Sequence, residues 1–331
     1  MSEAPDRNLA LELVRATEAA ALAAARWVGR GQKEEGDGAA VDALRLLLGT
    51  VRMDGIVVIG EGEKDEAPML YNGELVGNKQ GPAVDVAVDP VEGTNLLAKG
   101  LPNSISVVAI APRGALFNPG PAFYMDKLVV GPEAVGKVDI DAPVIENLAA
   151  VAAAKGLELK EVTVVILDRA RNRHYIDAVR AAGARVRLIS DGDVAPALMT
   201  ALPDTGIDMV IGSGGTPEGV ITACAMRGLG GEIQGRLLPQ SDLERTRVLE
   251  AGLDLNRKLT LLDLAGGDDH FFAATGITQG DFLRGVRYTS TGAITHSLVT
   301  RTRSGTWRTI EAHHQWSKLM SYSEVEYHIK D

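Results

Sequence analysis

Five acidic residues stand at expected element ends beside glycines: Asp37 in EGDGAA, Glu61 in IGEGE, Asp89 and Glu92 in DPVEGT, and Glu218 in GGTPEG. Glycine lets the backbone turn sharply there and a ligand come close. One such acid reads first as a turn or N-cap residue, and Glu218, in a first helical turn, would complement the helix dipole. Two acids delivered to one strand end are harder to account for in that way. Residues 84–88 alternate valines with Asp85 and Ala87 on the way into Asp89, and Pro90 cannot extend a ladder, so the strand is expected to stop at Asp89 and the following turn to bring Glu92 alongside. Unpaired carboxylates about 4 Å apart repel by about 4 kcal/mol at an effective dielectric of about 20. Either the acids do not converge, or cations sit among them. Oxygen donors without His or Cys favour Mg²⁺ or Mn²⁺ over Zn²⁺. Asp85 shares the face of Asp89 but lies roughly 13 Å along the strand, too far for a common ion.

Gly93 and Thr94 follow the acids and offer backbone N–H groups at a helix start, a cradle for phosphate. DRARNRH (168–174) gathers three arginines and a histidine after a strand, an anchor for an anionic group such as a phosphate through bidentate contacts. Arg173 and His174 fit a solvated loop face better. Asp191 and Asp193 in SDGD would repel phosphate and suit donating hydroxyl groups, with an Asx turn as the plain alternative. GSGGTPEG is no dinucleotide fingerprint, because Pro217 stands where the sixth position needs glycine. His313 and His314 are neighbours on an expected strand, so they point to opposite faces and read as surface residues. Trp307 and Trp316 read as packing residues.

The elements that must position these groups follow from periodicity. Residues 9–28 and 39–48 read as helices, with the charged glycine-rich GRGQKEEGDG as a loop between them. Residues 55–60, 84–88, 105–110 and 127–130 read as strands, the second of them half-buried, and 147–154 as a helix. After that, strands at 162–167, 185–189 and 208–211 alternate with helices at 175–182, 194–202 and 218–227, the rhythm of an α/β layer with parallel or mixed strands. Residues 294–300 and 307–312, joined at RSGT, read as a hairpin returning to a sheet. A boundary falls within 115–160, which divides the chain into halves 1–140 and 141–331.

The chain has 331 residues, 45% of them hydrophobic, enough for one large or two modest domains. A net charge of −10 argues against nucleic acid and acidic membranes as partners, and an anionic substrate would need local Arg, Lys or metal. The single cysteine, Cys224, excludes a disulfide framework and a Cys-based zinc site. Charges through the first 30 residues exclude a secretory leader, and residues 19–25 are too short to span a bilayer, so a cytoplasmic protein is expected.

DPVEGT resembles the metal-binding signature of the lithium-sensitive, metal-dependent sugar and inositol phosphatase superfamily. With it, GRGQKEEGDGAAVDALR, VIGEGEKDEAPMLYNGE, VDVAVDPVEGTN, YMDKLVVGP, SDGDV, GSGGTPEGV and FAATGIT occur in order between residues 29 and 278. Together they resemble class II fructose-1,6-bisphosphatase. The resemblance implies a layered α/β/α/β/α sandwich with the active site between two sheet-containing halves. It implies hydrolysis of the C1 phosphate of fructose 1,6-bisphosphate, with Mn²⁺ or Mg²⁺ as cofactor, two or more ions per site, in a homo-oligomer (dimer or tetramer). Asp37 and Glu61 match ligands of one ion, and Asp89, Glu92 and Glu218 those of a second. Glu92, Gly93 and Thr94 match substrate contacts, with Thr94 helping to activate the attacking water. Tyr124, Arg169, Ala170, Arg171, Asp191, Gly192, Asp193 and Gly215 match sugar-phosphate contacts, and Lys33 a phosphate-facing lysine. The family usually carries Lys-Pro-Arg where this chain has Arg169, Ala170 and Arg171, which keeps charge and alters geometry, and residues 240–260 look shorter than in some members. Two rival readings stand beside this one: an enzyme acting also on sedoheptulose 1,7-bisphosphate, and a sugar-phosphate sensor without turnover.

Overall fold

The computed structural model describes residues 7–62 and 69–322. Residues 63–68 of the block at 58–74, and the acids at positions 3 and 6, lie outside the described residues. The chain opens with helices α1 (Ala10–Ala24) and α2 (Lys33–Leu48), then β1 (Asp54–Ile59), β2 (Leu75–Val76), β3 (Ala83–Glu92), the short α3 (Thr94–Lys99), β4 (Ile105–Pro112) and β5 (Tyr124–Val130). Next come α4 (Val144–Lys155), β6 (Thr163–Leu167), α5 (Arg173–Ala181), β7 (Arg185–Ile189), α6 (Val194–Met199), β8 (Met209–Gly215), α7 (Thr216–Leu229) and β9 (Glu232–Leu237). The last part holds α8 (Asp242–Glu250), α9 (Leu261–Leu264), β10 (Phe271–Gly276), β11 (Arg287–Tyr288), β12 (Gly292–Arg301), β13 (Thr306–Gln315) and α10 (Trp316–Tyr322).

The strands form two sheets. The first runs β11-β12-β10-β4-β3-β1-β2, with β13 on the other edge of β12, and the second runs β7-β6-β8-β5-β9. Valine-rich central strands present apolar side chains on both faces, so each sheet needs helices on both sides. α1 and α2 cover one face of the first sheet, where Leu13, Leu44 and Leu48 meet Val86, Ile110 and Phe271. α6 and α7 fill the space between the sheets, where Val194, Leu198, Val220 and Cys224 meet Val107, Ala109, Met125 and Phe272. α4 and α5 cover the far face of the second sheet, where Leu148 and Ile176 meet Val164, Ile166 and Met209. These layers are the expected α/β/α/β/α sandwich. A truncation such as Leu44→Ala, at a fully buried position, would cost about 2–5 kcal/mol. Sheet membership crosses the chain's midpoint: β5 joins the second sheet, and β10, β12 and β13 return to the first.

Several expectations are corrected. Strand β3 does not end at Asp89 but runs to Glu92, and it is buried on both faces rather than half-buried. Pro90 is tolerated because β1 pairs with β3 only as far as Ala87, and because the pairing with β4 shifts register between Asp89 and Glu92. Asp85 inside this strand accepts from the Leu116 N–H at 3.1 Å and lies 3.7 Å from Arg113 Nε, which accounts for its burial. GRGQKEEGDG is not all loop: α2 begins at Lys33, with Glu34 and Glu35 in its first turn complementing the helix dipole. Gly36 belongs there because a Cβ would press within 2.6 Å of Leu97 Cδ2 and 3.0 Å of Trp27 Cβ. The periodic reading passed over β9, α8 and β10. Trp307 is 43% exposed rather than packed, whereas Trp316 joins a buried cluster beside Tyr288. His313 is exposed, but His314 is half-buried, its Nε2 2.9 Å from Thr295 Oγ1. Among the described residues no helix is long and apolar enough to cross a membrane.

Candidate active site

The register shift in β3 positions the central acids. Three steps along β3, from Asp89 to Glu92, oppose two steps along β4, from Val107 to Ile105. In a regular strand, residues three apart face opposite sides. The extra residue reverses that parity and turns Glu92 to the side of Asp89. Gly93 then leaves the strand at φ 84°, a left-handed conformation that favours glycine, and Thr94 opens α3. Glu61 follows β1, the parallel neighbour of β3, by two residues, and Asp37 projects from the second turn of α2, four residues after Lys33. From the second sheet, β8 passes directly into α7, whose first turn carries Glu218. A Cβ on Gly215 would collide with the Glu218 carboxylate, so glycine is required for that side chain to fold back on the strand end. The direct passage from strand to helix leaves no loop in GSGGTPEG for a nucleotide.

The alternatives left open by spacing resolve toward convergence. Burial pushes the Asp89 carboxyl well above the usual range, and the charges of Glu92, Glu61, Glu218 and Asp37 push it further, in that order. Glu92, 2% exposed, is raised well above its usual range by burial and then by Asp193, with the Val194 N–H opposing at 3.2 Å. Burial and Asp37 bring Glu61 up to about 7. Asp37 is raised by burial against the pull of Lys33, and Glu218 by burial against the pull of Lys127. Each shift says the same thing: the fold holds five acids together at a cost that a cation would relieve.

A divalent ion fits this donor set. Glu92 Oε2 and Glu218 Oε2 are buried without a hydrogen-bond partner among the described residues, which is costly unless something charged meets them. The set is oxygen-only, which suits Mg²⁺ and Mn²⁺. Among the described residues no three such side chains are drawn together tightly enough to enclose an ion as they stand, so the acids face a shared cavity rather than a closed cage.

That cavity, about 550 Å³, lies where the ends of β1 and β3 face those of β6, β7 and β8. Lys33, Asp37, Glu61, Asp89, Glu92, Gly93, Thr94, Tyr124, Arg169, Arg171, Asp191, Gly192, Asp193, Gly215 and Glu218 all line it. Ala170 is not among the lining residues and is exposed, as are Arg173 and His174. On the same cavity wall, Arg171 stacks over the Tyr124 ring, 4.5 Å from its centroid, and its Nε donates to the Ser213 carbonyl at 3.4 Å. Asp191 accepts from the Asn95 backbone and side-chain N–H groups at 3.2 and 3.0 Å, which ties the loop after β7 to α3. Gly192, at φ 73°, would bring a Cβ within 3.0 Å of Glu92 Oε2.

Two contributors escaped the reading of the sequence. Asn172 accepts from the Ser213 N–H at 2.7 Å and donates to the Ser213 and Leu167 carbonyls at 3.1 and 3.0 Å, pinning the arginine loop to β8. Lys127, 4% exposed, lies 2.6 Å from Asp193. Asn172 sits unmarked among arginines; Lys127 could have been noticed as a charge in a strand's core-facing slot.

A layered α/β protein whose cleft gathers five acids together with Lys33, Arg169 and Arg171 is built for a small anionic ligand. The model of a family described as bacterial fructose-1,6-bisphosphatase, glpX-encoded, matches residues 7–314. Fructose-1,6-bisphosphatase 1 class 2 of Escherichia coli (strain K12) is 45% identical over 321 residues, covering 93% of this chain and 95% of that protein. Fructose-1,6-bisphosphatase class 2 of Shigella flexneri matches to the same extent. The chain belongs to the class 2 fructose-1,6-bisphosphatase family.

Proposed function

We propose that this protein is a fructose-1,6-bisphosphatase that releases the C1 phosphate of fructose 1,6-bisphosphate, giving fructose 6-phosphate and phosphate, and that it acts with Mn²⁺ or Mg²⁺. The observation that carries the reading is the lining of a single cleft: five mutually repelling carboxylates, Glu92 the most deeply buried of them, share it with Arg169 and Arg171. Membership of the wider lithium-sensitive phosphatase superfamily, a dimeric or tetrameric assembly, and a cytoplasmic location are parts of the same proposal. The cytoplasmic location is supported by the single cysteine, buried in α7.

In this reading Asp37, Glu61, Asp89, Glu92 and Glu218 hold divalent ions at the reacting end. When bound, such ions polarise the phosphate ester, acidify a water and neutralise the leaving oxygen. Thr94, half-buried at the start of α3, directs its hydroxyl to the attacking water, and Gly93 and Lys33 meet the reacting phosphate. Water oxygen bonds to phosphorus as the bond to the sugar oxygen breaks, and that oxygen takes up the proton. Asp191, Gly192 and Asp193 accept from sugar hydroxyls. Arg169 and Arg171 grip the distant phosphate beside Tyr124 and Gly215. Most of the rate enhancement then comes from positioning and preorganised charge.

The test is phosphate release from fructose 1,6-bisphosphate in Mn²⁺ and in Mg²⁺, with sedoheptulose 1,7-bisphosphate and fructose 6-phosphate in the same panel. Binding of fructose 1,6-bisphosphate without phosphate release in either metal would favour a sensor. Equal kcat/KM on the seven-carbon substrate would make the enzyme bifunctional.

A further inference from the structure

Strand β5 alternates between the middle layer and the outer layer. Met125 and Val129 point into the middle core, 0% and 1% exposed, and Lys127 occupies the slot between them at 4%. An ammonium in an apolar layer is costly unless a charge meets it. The charge is Asp193, 9% exposed, whose Oδ2 lies 2.6 Å from Lys127 Nζ. The contact is one of charge and not an aligned hydrogen bond. The neighbouring backbone is shaped around it: a Cβ on Gly214 would collide with that same Asp193 oxygen and lie 2.9 Å from Lys127 Nζ. Lys127 is also the largest influence favouring the ionised form of Glu218, against Asp193 and Asp191. It is not among the residues lining the cavity, so whatever it contributes passes through its neighbours.

We propose that Lys127 is a positioning residue: by holding Asp193 Oδ2 from behind, it keeps the carboxylate turned so that Oδ1 meets a hydroxyl of the sugar. This rests on the reading of Asp193 as a hydroxyl acceptor. The need for a restraint is visible in the surroundings. Asp193 exerts the largest repulsion that Glu92 feels from any one charge, and Glu92 is buried next to it with one oxygen unpartnered. Without Lys127 that repulsion would drive the Asp193 carboxylate off the hydroxyl.

A double-mutant cycle tests this. Lys127→Met, Asp193→Asn and the double variant are compared with wild type by KM for fructose 1,6-bisphosphate, and by the Kd of fructose 6-phosphate from calorimetry on metal-free protein. Each single substitution should raise KM and Kd by about tenfold, the worth of one hydrogen bond to a charged group. The KM increase should exceed any fall in kcat. The double variant should be no worse than the worse single one, because both remove the same interaction. Effects that multiply, or a Lys127→Met protein with lowered Tm but unchanged KM and Kd, would overturn the assignment. Should Lys127→Met fail to fold, Lys127→Gln replaces it in the same cycle and is judged on the same coupling. Wild-type protein that releases no phosphate would refute the proposed activity, while the fructose 6-phosphate arm still judges Lys127. Wild-type protein that binds no fructose 6-phosphate overturns both.

Discussion

Arg171 lays its guanidinium over the ring of Tyr124, 4.5 Å from the centroid, and so joins the loop after β6 to the first residue of β5. The stack fixes one face of a planar cation while Asn172 anchors the loop behind it to β8. Flexibility is removed before any ligand arrives, which is what a preorganised anion site needs.

Loss of that cation should therefore appear in binding. Arg171→Ala is expected to raise KM for fructose 1,6-bisphosphate with kcat nearly unchanged, because the contact exists in ground and transition states alike. The size should be about 1.5–3 kcal/mol, the worth of hydrogen bonds to a charged group. Tyr124→Ala, which leaves the guanidinium without its platform, should raise KM less, by about 0.5–2 kcal/mol. Steady-state kinetics decide: a fall in kcat at constant KM would remove Arg171 from the distant-phosphate pocket.

The acid cluster predicts how the protein responds to metal. Burial and mutual repulsion raise Asp89, Glu92 and Glu61, so metal-free protein carries strain that a divalent ion relieves. Mn²⁺ should raise Tm in a concentration-dependent way, by linkage, and Asp89→Asn should abolish most of that rise. Activity should vanish on dialysis against EDTA and return with Mn²⁺. Full turnover in EDTA is the outcome that would sink the metal reading.

Thr94 opens α3 on the cavity wall, directly after Glu92 and Gly93. Thr94→Ala is expected to lower kcat by roughly two to four orders of magnitude, as for a lost element of general-base catalysis, with little change in KM. Thr94→Ser, which keeps the hydroxyl, should retain most of kcat. An alanine variant that binds weakly and turns over normally would make Thr94 a substrate contact alone.

Far from the cleft, Glu18 on α1 makes stability depend on pH. Its carboxyl is pushed up to about 7 by burial, against the Thr295 hydroxyl hydrogen bond at 3.2 Å and the charge of Arg15. Thr295 Oγ1 also meets His314 Nε2. The folded protein prefers the neutral acid, so the contribution of Glu18 is fully present below about 4.5, its unperturbed value, and is lost as pH rises through about 7. Glu18→Gln should thus be increasingly more stable than wild type between pH 5 and pH 8, by up to about 3 kcal/mol. Urea midpoints across that range would show it; a constant difference would mean the carboxyl is not the titrating group.

The sequence by itself determined the chemistry of the site and the order of its parts. Acids beside glycines, arginines after a strand and a valine run ending at Asp89 are local features, set by residue type and by periods of two or 3.6. They suffice to place most strands and helices and to single out acids and arginines that line one cavity. Tertiary structure decided what those features face. The parity change that turns Glu92 toward Asp89 depends on pairing with β4, where Glu92 meets Ile105, 13 residues on, and Asp89 meets Val107, 18 residues on, spans that no period of two records. The helical state of Lys33 and Asp37 depends on Gly36 packing against Leu97, and the burial of Lys127 on Asp193 and Gly214 arriving from two other elements. Charge interactions act through space, so the convergence of Asp37, Glu61, Asp89, Glu92 and Glu218, drawn from four separate elements or their ends, exists only once both sheets and the helix between them have closed around one cavity.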